Sequence, residues 1–172
     1  MQARINEAIQ THYARADLGD AILTALEKAG KELSRLTPED LAPIDQFHIR
    51  GRAATLELAR AAGLDAAKRV LDVGSGVGGT SRCLAKEFGC RVTGIDLTDE
   101  YCRAAAMLSA RTGLAHLVDF RQGDATELPF DTSYPHFWSA PSSFTPGQGD
   151  AFFFARATVG TATELVSLVH TG

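Results

Sequence analysis

Apolar residues recur at helical spacing along the first third of the chain and at strand spacing after it, with the change of period at Lys68. Ile5, Ala8 and Ile9 begin one helical face, and Leu18, Ile22, Leu23 and Leu26 continue another, with Gly30 as its stop. In "LTPED", Thr37 is placed as an N-cap, Pro38 at the first helical position and Asp40 three residues on, so a helix is expected to start there. "GRAATLELARAAG" is built from good helix formers and predicts a helix from Gly51 to Ala62, closed by Gly63.

From Lys68 the pattern alternates. "RVLDVG" is a short buried strand, and "GGTSRCLAKEFG" carries Leu84 and Phe88 four apart on a helix ended by Gly89. "RVTGIDL" predicts a second strand, "TDEYCRAAAMLSARTG" a second helix with Met107 and Leu108 in its core, and "LVDFRQGD" a third strand. Strand and helix alternating at this spacing imply a parallel sheet flanked by helices.

After Ser133 the character changes. Its only Asp, Glu, Lys or Arg residues are Asp150, Arg156 and Glu164, while more than half of the chain's aromatic side chains lie in this stretch. "SAPSSFTPGQGD" has the composition of a loop, "AFFFARATV" reads as a strand, and "TATELVSLV" reads as a short helix. Three regions result: a helical cap (1–64), an α/β core (65–134) and a divergent segment (135–172).

Composition narrows the function classes. A 45% hydrophobic, 22% charged chain of 172 residues can build one core, and a formal net charge of −4 without basic runs gives no footprint for nucleic acid. The first twenty residues hold no apolar run of the signal-peptide kind, and Arg156 and Glu164 interrupt the most apolar late stretch, so a soluble cytoplasmic protein is expected rather than a membrane-bound one. Cys83, Cys90 and Cys102 are odd in number and lack Cys-x-x-Cys spacing, which predicts reduced thiols and no metal site.

The candidate chemistry lies in "VLDVGSGVGGT". Gly74, Gly76 and Gly79 satisfy G-x-G-x-x-G, and Asp96 follows at the end of the next strand, where a carboxylate can accept from ribose hydroxyls. By itself this pattern serves an NAD-dependent oxidoreductase as well as other nucleotide binders. Asp72, two residues before the first glycine, disfavours a pyrophosphate and suits a ligand carrying an ammonium or sulfonium group. With Asp124 after the third strand, three acids gather at the carboxyl edge of one sheet. For Asp96 and Asp124, helix capping is the competing explanation.

"VLDVGSGVGGTSRCLAKEFGCRVTGIDLTDEYCRAAAMLSARTGL" followed by "VDFRQGDATELPF" resembles the first half of class I S-adenosylmethionine-dependent methyltransferases. Within them it is similar to the small-molecule group of sarcosine/dimethylglycine methyltransferase-like and ubiquinone-biosynthesis-like enzymes. The leader "THYARADLGDAILTALEKAGKELSRLTPEDLAPIDQFHIRGRAAT" resembles that of bacterial members, so the likeness spans residues 1 to about 134. It implies a Rossmann-like parallel sheet with helices on both faces behind a helical N-terminal cap, and methyl transfer from S-adenosylmethionine to a small-molecule acceptor. Asp72, Gly74, Ser75, Gly76 and Gly78 would then wrap the methionine end of the cofactor. Asp96 would hold the ribose and Leu97 the adenine, with Asp124 on the adenine amino group and the Ala125 N–H on a ring nitrogen. Tyr13, Gln46 and His48 fall where the leader of similar enzymes closes over the cofactor, although packing is the competing role for Tyr13 and a hydrogen-bonded structural role that for His48. No catalytic base is evident; His48 is the one candidate to test.

The likeness fades after Phe130. Pro135 stands where an acid is expected in a fourth strand, and 33 residues after Ser139 are fewer than the roughly 90 that three further strand–helix units need. The second half of the sheet is therefore expected to be incomplete, through truncation, a frameshift or divergence, and its open edge is a route to self-association. A remnant that binds cofactor without turnover is the alternative to an active enzyme.

Overall fold

The computed structural model describes residues 18–45 and 51–124, together with the backbone of three later strands at 136–139, 151–156 and 164–169. Helix α1 (Leu18–Lys28) buries Ile22 and Leu26, and Gly30 beyond it takes φ +77°, as the expected stop requires.

The Thr37 cap forms. The Thr37 N–H donates to Asp40 Oδ2 at 2.9 Å and the Asp40 N–H donates to Thr37 Oγ1 at 3.3 Å, a reciprocal capping box. Hydrogen bonding from Lys31, whose Nζ lies 2.8 Å away, and from Thr37 holds the Asp40 carboxyl well below its ordinary range. The expected helix from Pro38 is corrected, however: residues 38–41 are turns, and regular helix covers only α2 (Ala42–Asp45). Pro43 explains this. It has no N–H to give a carbonyl four residues back, so the segment uses three-residue bonds such as Leu41 N–H to Pro38 O and Ala42 N–H to Glu39 O, both 3.2 Å. Helix α3 (Gly51–Ala61) follows, and Gly63 after it has φ +65°.

The core alternates as expected: β1 (Arg69–Val73), α4 (Gly79–Phe88), β2 (Arg91–Asp96), α5 (Asp99–Arg111) and β3 (Val118–Gln122). β1 and β3 each pair with β2 in parallel, bringing Val70, Val92 and Val118 side by side and, one pleat on, Asp72, Gly94 and Phe120. The two crossovers step in the same direction, so right-handed connections put α4 and α5 on one face. There Leu58 and Ala59 of α3 and Leu84 and Ala85 of α4 meet the three valines in a single buried cluster. Leu108 of α5 joins Ile22, Leu26, Leu36 and Leu41 in a second cluster, which fastens the leader to the core. On the opposite face Leu71 and Ile95 are buried too, and the helices expected there fall outside the described residues.

The sheet does not stop at β1. β4 (His136–Ser139) pairs with β1 in parallel, and β5 (Ala151–Arg156) and β6 (Glu164–Val169) follow as antiparallel strands, giving the order β3-β2-β1-β4-β5-β6. Three strands beyond β1 are thus present among the described residues. β4 begins at His136, and Pro135 lies outside the described residues. The helix expected in "TATELVSLV" is overturned, because Glu164–Val169 is a strand paired along its length with β5. A short apolar run fits either structure, and here an adjacent strand partner decides.

Candidate functional site

The carboxyl ends of β1, β2 and β3 are tied into one edge by backbone bonds. After β1, the N–H groups of Gly74 and Ser75 both reach the Ile95 carbonyl, at 2.9 and 3.0 Å, and the Gly78 N–H closes the turn onto Ser75 O at 2.9 Å. After β2, the Asp96 carbonyl accepts from the Gly123 N–H at 2.9 Å, and Gln122 Nε2 donates to Leu97 O at 3.0 Å. The loops that carry Leu97 and Asp124 are therefore held together, and both residues are half-buried.

Gly78 must be glycine for two reasons. Its φ is +82°, and a Cβ there would lie 2.6 Å from the Phe120 ring. As N-cap of α4 it supplies no side-chain bond, which leaves the first N–H groups of that helix facing the turn without a side-chain cap. Gly79 serves packing instead, since a Cβ would come within 2.6 Å of Asp45 Cβ and 2.7 Å of its carbonyl oxygen.

Asp96 closes the turn from the side. Its Oδ2 accepts from the Gly76 N–H and its Oδ1 from the Thr98 N–H, both at 2.9 Å. Asp96 is not the helix N-cap: that position is Thr98, from whose own N–H it accepts two residues before, and the same carboxylate shapes the glycine turn. Each oxygen keeps a lone-pair direction for a further donor.

Asp72 lies beneath the turn at 1% exposure, its Oδ2 accepting from Ser81 Oγ at 2.6 Å. Burial pushes its carboxyl up to about 6; the Ser81 hydrogen bond opposes that rise and the charge of Asp96 adds to it. Beside it, the Ser75 hydroxyl is buried and has no hydrogen-bond partner. An orphaned polar atom in a loop made of glycines is what a polar ligand would complete. The thiols add no nucleophile, because burial pushes Cys83, Cys90 and Cys102 each to about 11, and all three are free.

Of the residues picked out in the sequence, the structure brings Asp72, Gly74, Ser75, Gly76, Gly78, Asp96, Leu97 and Asp124 to this edge. Tyr13, Gln46, His48 and Ala125 lie outside the described residues. Sequence reasoning missed Ser81 under Asp72, Phe120 filling the space that Gly78 and Gly94 leave, and Arg82, whose fully buried guanidinium is paired with Asp45. Gly94 in the middle of a strand was the available signal for Phe120, since a strand glycine marks a close approach. Nothing local announces a partner for Arg82 that is 37 residues away.

Residues 70–155, half of the chain, match the model of a family described as a methyltransferase domain. Over 76 residues the chain is 42% identical to the chloroplastic tocopherol O-methyltransferase of Arabidopsis thaliana, covering 44% of this chain and 22% of that protein. Over 80 residues it is 34% identical to the glycine/sarcosine/dimethylglycine N-methyltransferase of Actinopolyspora halophila, covering 46% and 14%. The chain thus spans about a fifth or less of the length of these curated relatives. Among solved structures, a geranyl diphosphate methyltransferase in complex with GPP and sinefungin shares the fold, with a TM-score of 0.50 at 21% identity over 55% of this chain and 36% of that one.

Proposed function

The chain belongs to the methyltransferase-domain family, and from that premise we propose that it binds S-adenosylmethionine at the carboxyl edge of β1–β3 and transfers the methyl group to a small molecule. The observation that carries this reading is the glycine turn itself, with Asp96 on its Gly76 N–H and a buried Ser75 hydroxyl left for a ligand. Gly74, Ser75, Gly76 and Gly78 wrap the methionine end, Asp96 accepts from the ribose, Leu97 lies against the adenine, and Asp124 with the Ala125 N–H reads its edge. Asp72 has too little exposure to form part of the wall. Its negative charge acts from beneath the turn, favouring a cationic ligand over a pyrophosphate.

S-adenosylmethionine, when bound, supplies a methyl group already activated on a sulfonium. What remains for the chain is to hold the acceptor in line and to exclude water, for which orientation is worth about 7–11 kcal/mol. The two curated relatives are named for oxygen and nitrogen acceptors, and the acceptor here is taken to be a small molecule of that general kind. Free, high-pKa thiols suit a reducing cytoplasm, which belongs to the same reading. No helix among the described residues is long and apolar enough to cross a membrane.

Calorimetric titration with S-adenosylmethionine, S-adenosylhomocysteine and NAD tests the cofactor assignment. Binding of the first two is expected, and tight NAD binding without them would replace the reading by an oxidoreductase. Methyl release on a panel of amines, phenols and acids then separates an enzyme from a cofactor-binding remnant, since turnover of any acceptor excludes the remnant.

A further inference from the structure

Arg82 has no place in the cofactor contacts above, yet it is the largest fully buried side chain of the described residues. Its Nη2 is ion-paired with Asp45 of α2, and its Nη1 reaches Ala105 O and Ser109 Oγ of α5 only at 3.4 Å. Its Nε has no partner. Burial pulls the Arg82 guanidinium down, with Asp45 opposing, and burial pushes the Asp45 carboxyl up, with Arg82 opposing. Each ion therefore depends on the other.

The pair also borders the glycine turn. A Cβ on Gly78 would lie 3.0 Å from Arg82 Nη1, and one on Gly79 would strike the Asp45 Cβ and backbone. The last two glycines of the turn are thus walled by Asp45 of the leader, by Arg82 and by Phe120. Two other ion pairs join the same helix to its neighbours, Glu39–Lys86 to the leader and Arg52–Glu87 to α3, but both are more open to solvent. A cleft of about 190 Å³, lined in part by Asp45, Arg52, Arg82 and Lys86, opens beside the buried pair. Asp45 keeps 11% exposure and Arg82 none, so the pair opens from the Asp45 side.

We propose that Asp45 and Arg82 are a positioning pair which couples docking of leader residues 38–45 to the shape of the glycine turn, and through it to cofactor affinity. The inference rests on the S-adenosylmethionine reading. Without the Asp45 carboxylate, the guanidinium must find water or shift, and either change moves Gly78 and Gly79. Coupling is reciprocal, so cofactor bound in the turn tightens the leader by the factor that the docked leader tightens the cofactor.

The test measures S-adenosylhomocysteine affinity by calorimetry, and amide exchange at Ile44 and Asp45, whose N–H groups bond to Leu41 O at 2.8 and 2.9 Å. In the unaltered chain the ligand is expected to slow exchange at both amides. Asp45→Asn and Asp45→Ala are expected to weaken the ligand about tenfold or more and to abolish that protection. Asp45→Glu should restore much of both, and Glu39→Gln should leave both within about twofold, as a solvent-facing pair predicts. Ligand affinity unchanged in Asp45→Ala, or no protection of Ile44 and Asp45 in the unaltered chain when ligand binds, would overturn the coupling alone. Failure of the unaltered chain to bind S-adenosylhomocysteine would overturn the cofactor reading on which it stands. The exchange measurement needs no variant, so a substitution that unfolds the chain does not block the test.

Discussion

Asp72 and Asp96 lie on one face of adjacent parallel strands, at the same sheet edge, and their surroundings differ in kind. Asp96 is half-buried and meets two backbone N–H groups, from Gly76 and Thr98. Asp72 is closed off from solvent, and its hydrogen bonds come from Ser81, through the hydroxyl and the backbone N–H. Two N–H donors tie the Asp96 carboxylate into the backbone of the turn and of the next helix start, whereas the donors of Ser81 offset only part of the desolvation that raises Asp72. Asp96 therefore builds the turn. Asp72 weakens the fold whenever it is charged, as groups at functional sites often do.

The largest effect should come from deforming the turn both acids serve. Gly78→Ala forces an L-residue to φ +82° and drives a methyl into Phe120, at an expected cost of about 3–5 kcal/mol in urea unfolding. A cost below about 1 kcal/mol would mean that the Phe120 ring yields freely.

Next, Asp96→Ala strips a partner from two N–H groups and should cost about 1–3 kcal/mol, together with most of the affinity for S-adenosylhomocysteine. If calorimetry shows binding unchanged, Asp96 is a structural tie only.

Asp72→Asn should act in the opposite direction. The folded carboxyl is raised to about 6, so the stability it confers is fully present below the ordinary carboxylate range and is lost as pH rises through about 6. At pH 7 the asparagine variant should therefore be more stable than the unaltered chain, by at most about 3 kcal/mol. Unfolding curves between pH 4 and 8 should show the difference growing toward neutrality and levelling off above about 6. Higher stability combined with weaker cofactor binding would identify a charge kept for a ligand; a difference independent of pH would refute the titration.

The smallest effect belongs to a pair at the amino end of β1. Lys68 and Asp65 stand 3.9 Å apart with both side chains open to solvent, and Lys68→Ala should leave the unfolding midpoint and ligand affinity unchanged in the same assays.

Much of this edge was legible in the sequence. Gly74, Gly76, Gly78, Asp72 and Asp96 stand out because each sits at a fixed offset from a strand end, and strand–turn–helix periodicity is local. The capping box at Thr37 was legible for the same reason, but the helix behind it was not. Pro43 acts five residues past the first helical position, and only the bonds actually formed show turns winning there. "TATELVSLV" misleads because nine residues of mixed apolar character suit a helix or a strand equally, and the choice rests with β5. The Asp45–Arg82 pair leaves no sequence signal at all, since its two members lie on different elements and meet only when α2 docks.

By itself the sequence determined the order of elements through the third strand, the family, and the acids and glycines that mark the edge. Those follow from periodicity, backbone preference and spacing along a few consecutive residues. Tertiary structure alone decided which acid is closed off and which is half-buried, what fills the space the glycines leave, and that the sheet continues from β1 into β4, β5 and β6. Burial, long-range ion pairing and strand partnership depend on what the rest of the chain brings alongside, and no local pattern encodes that.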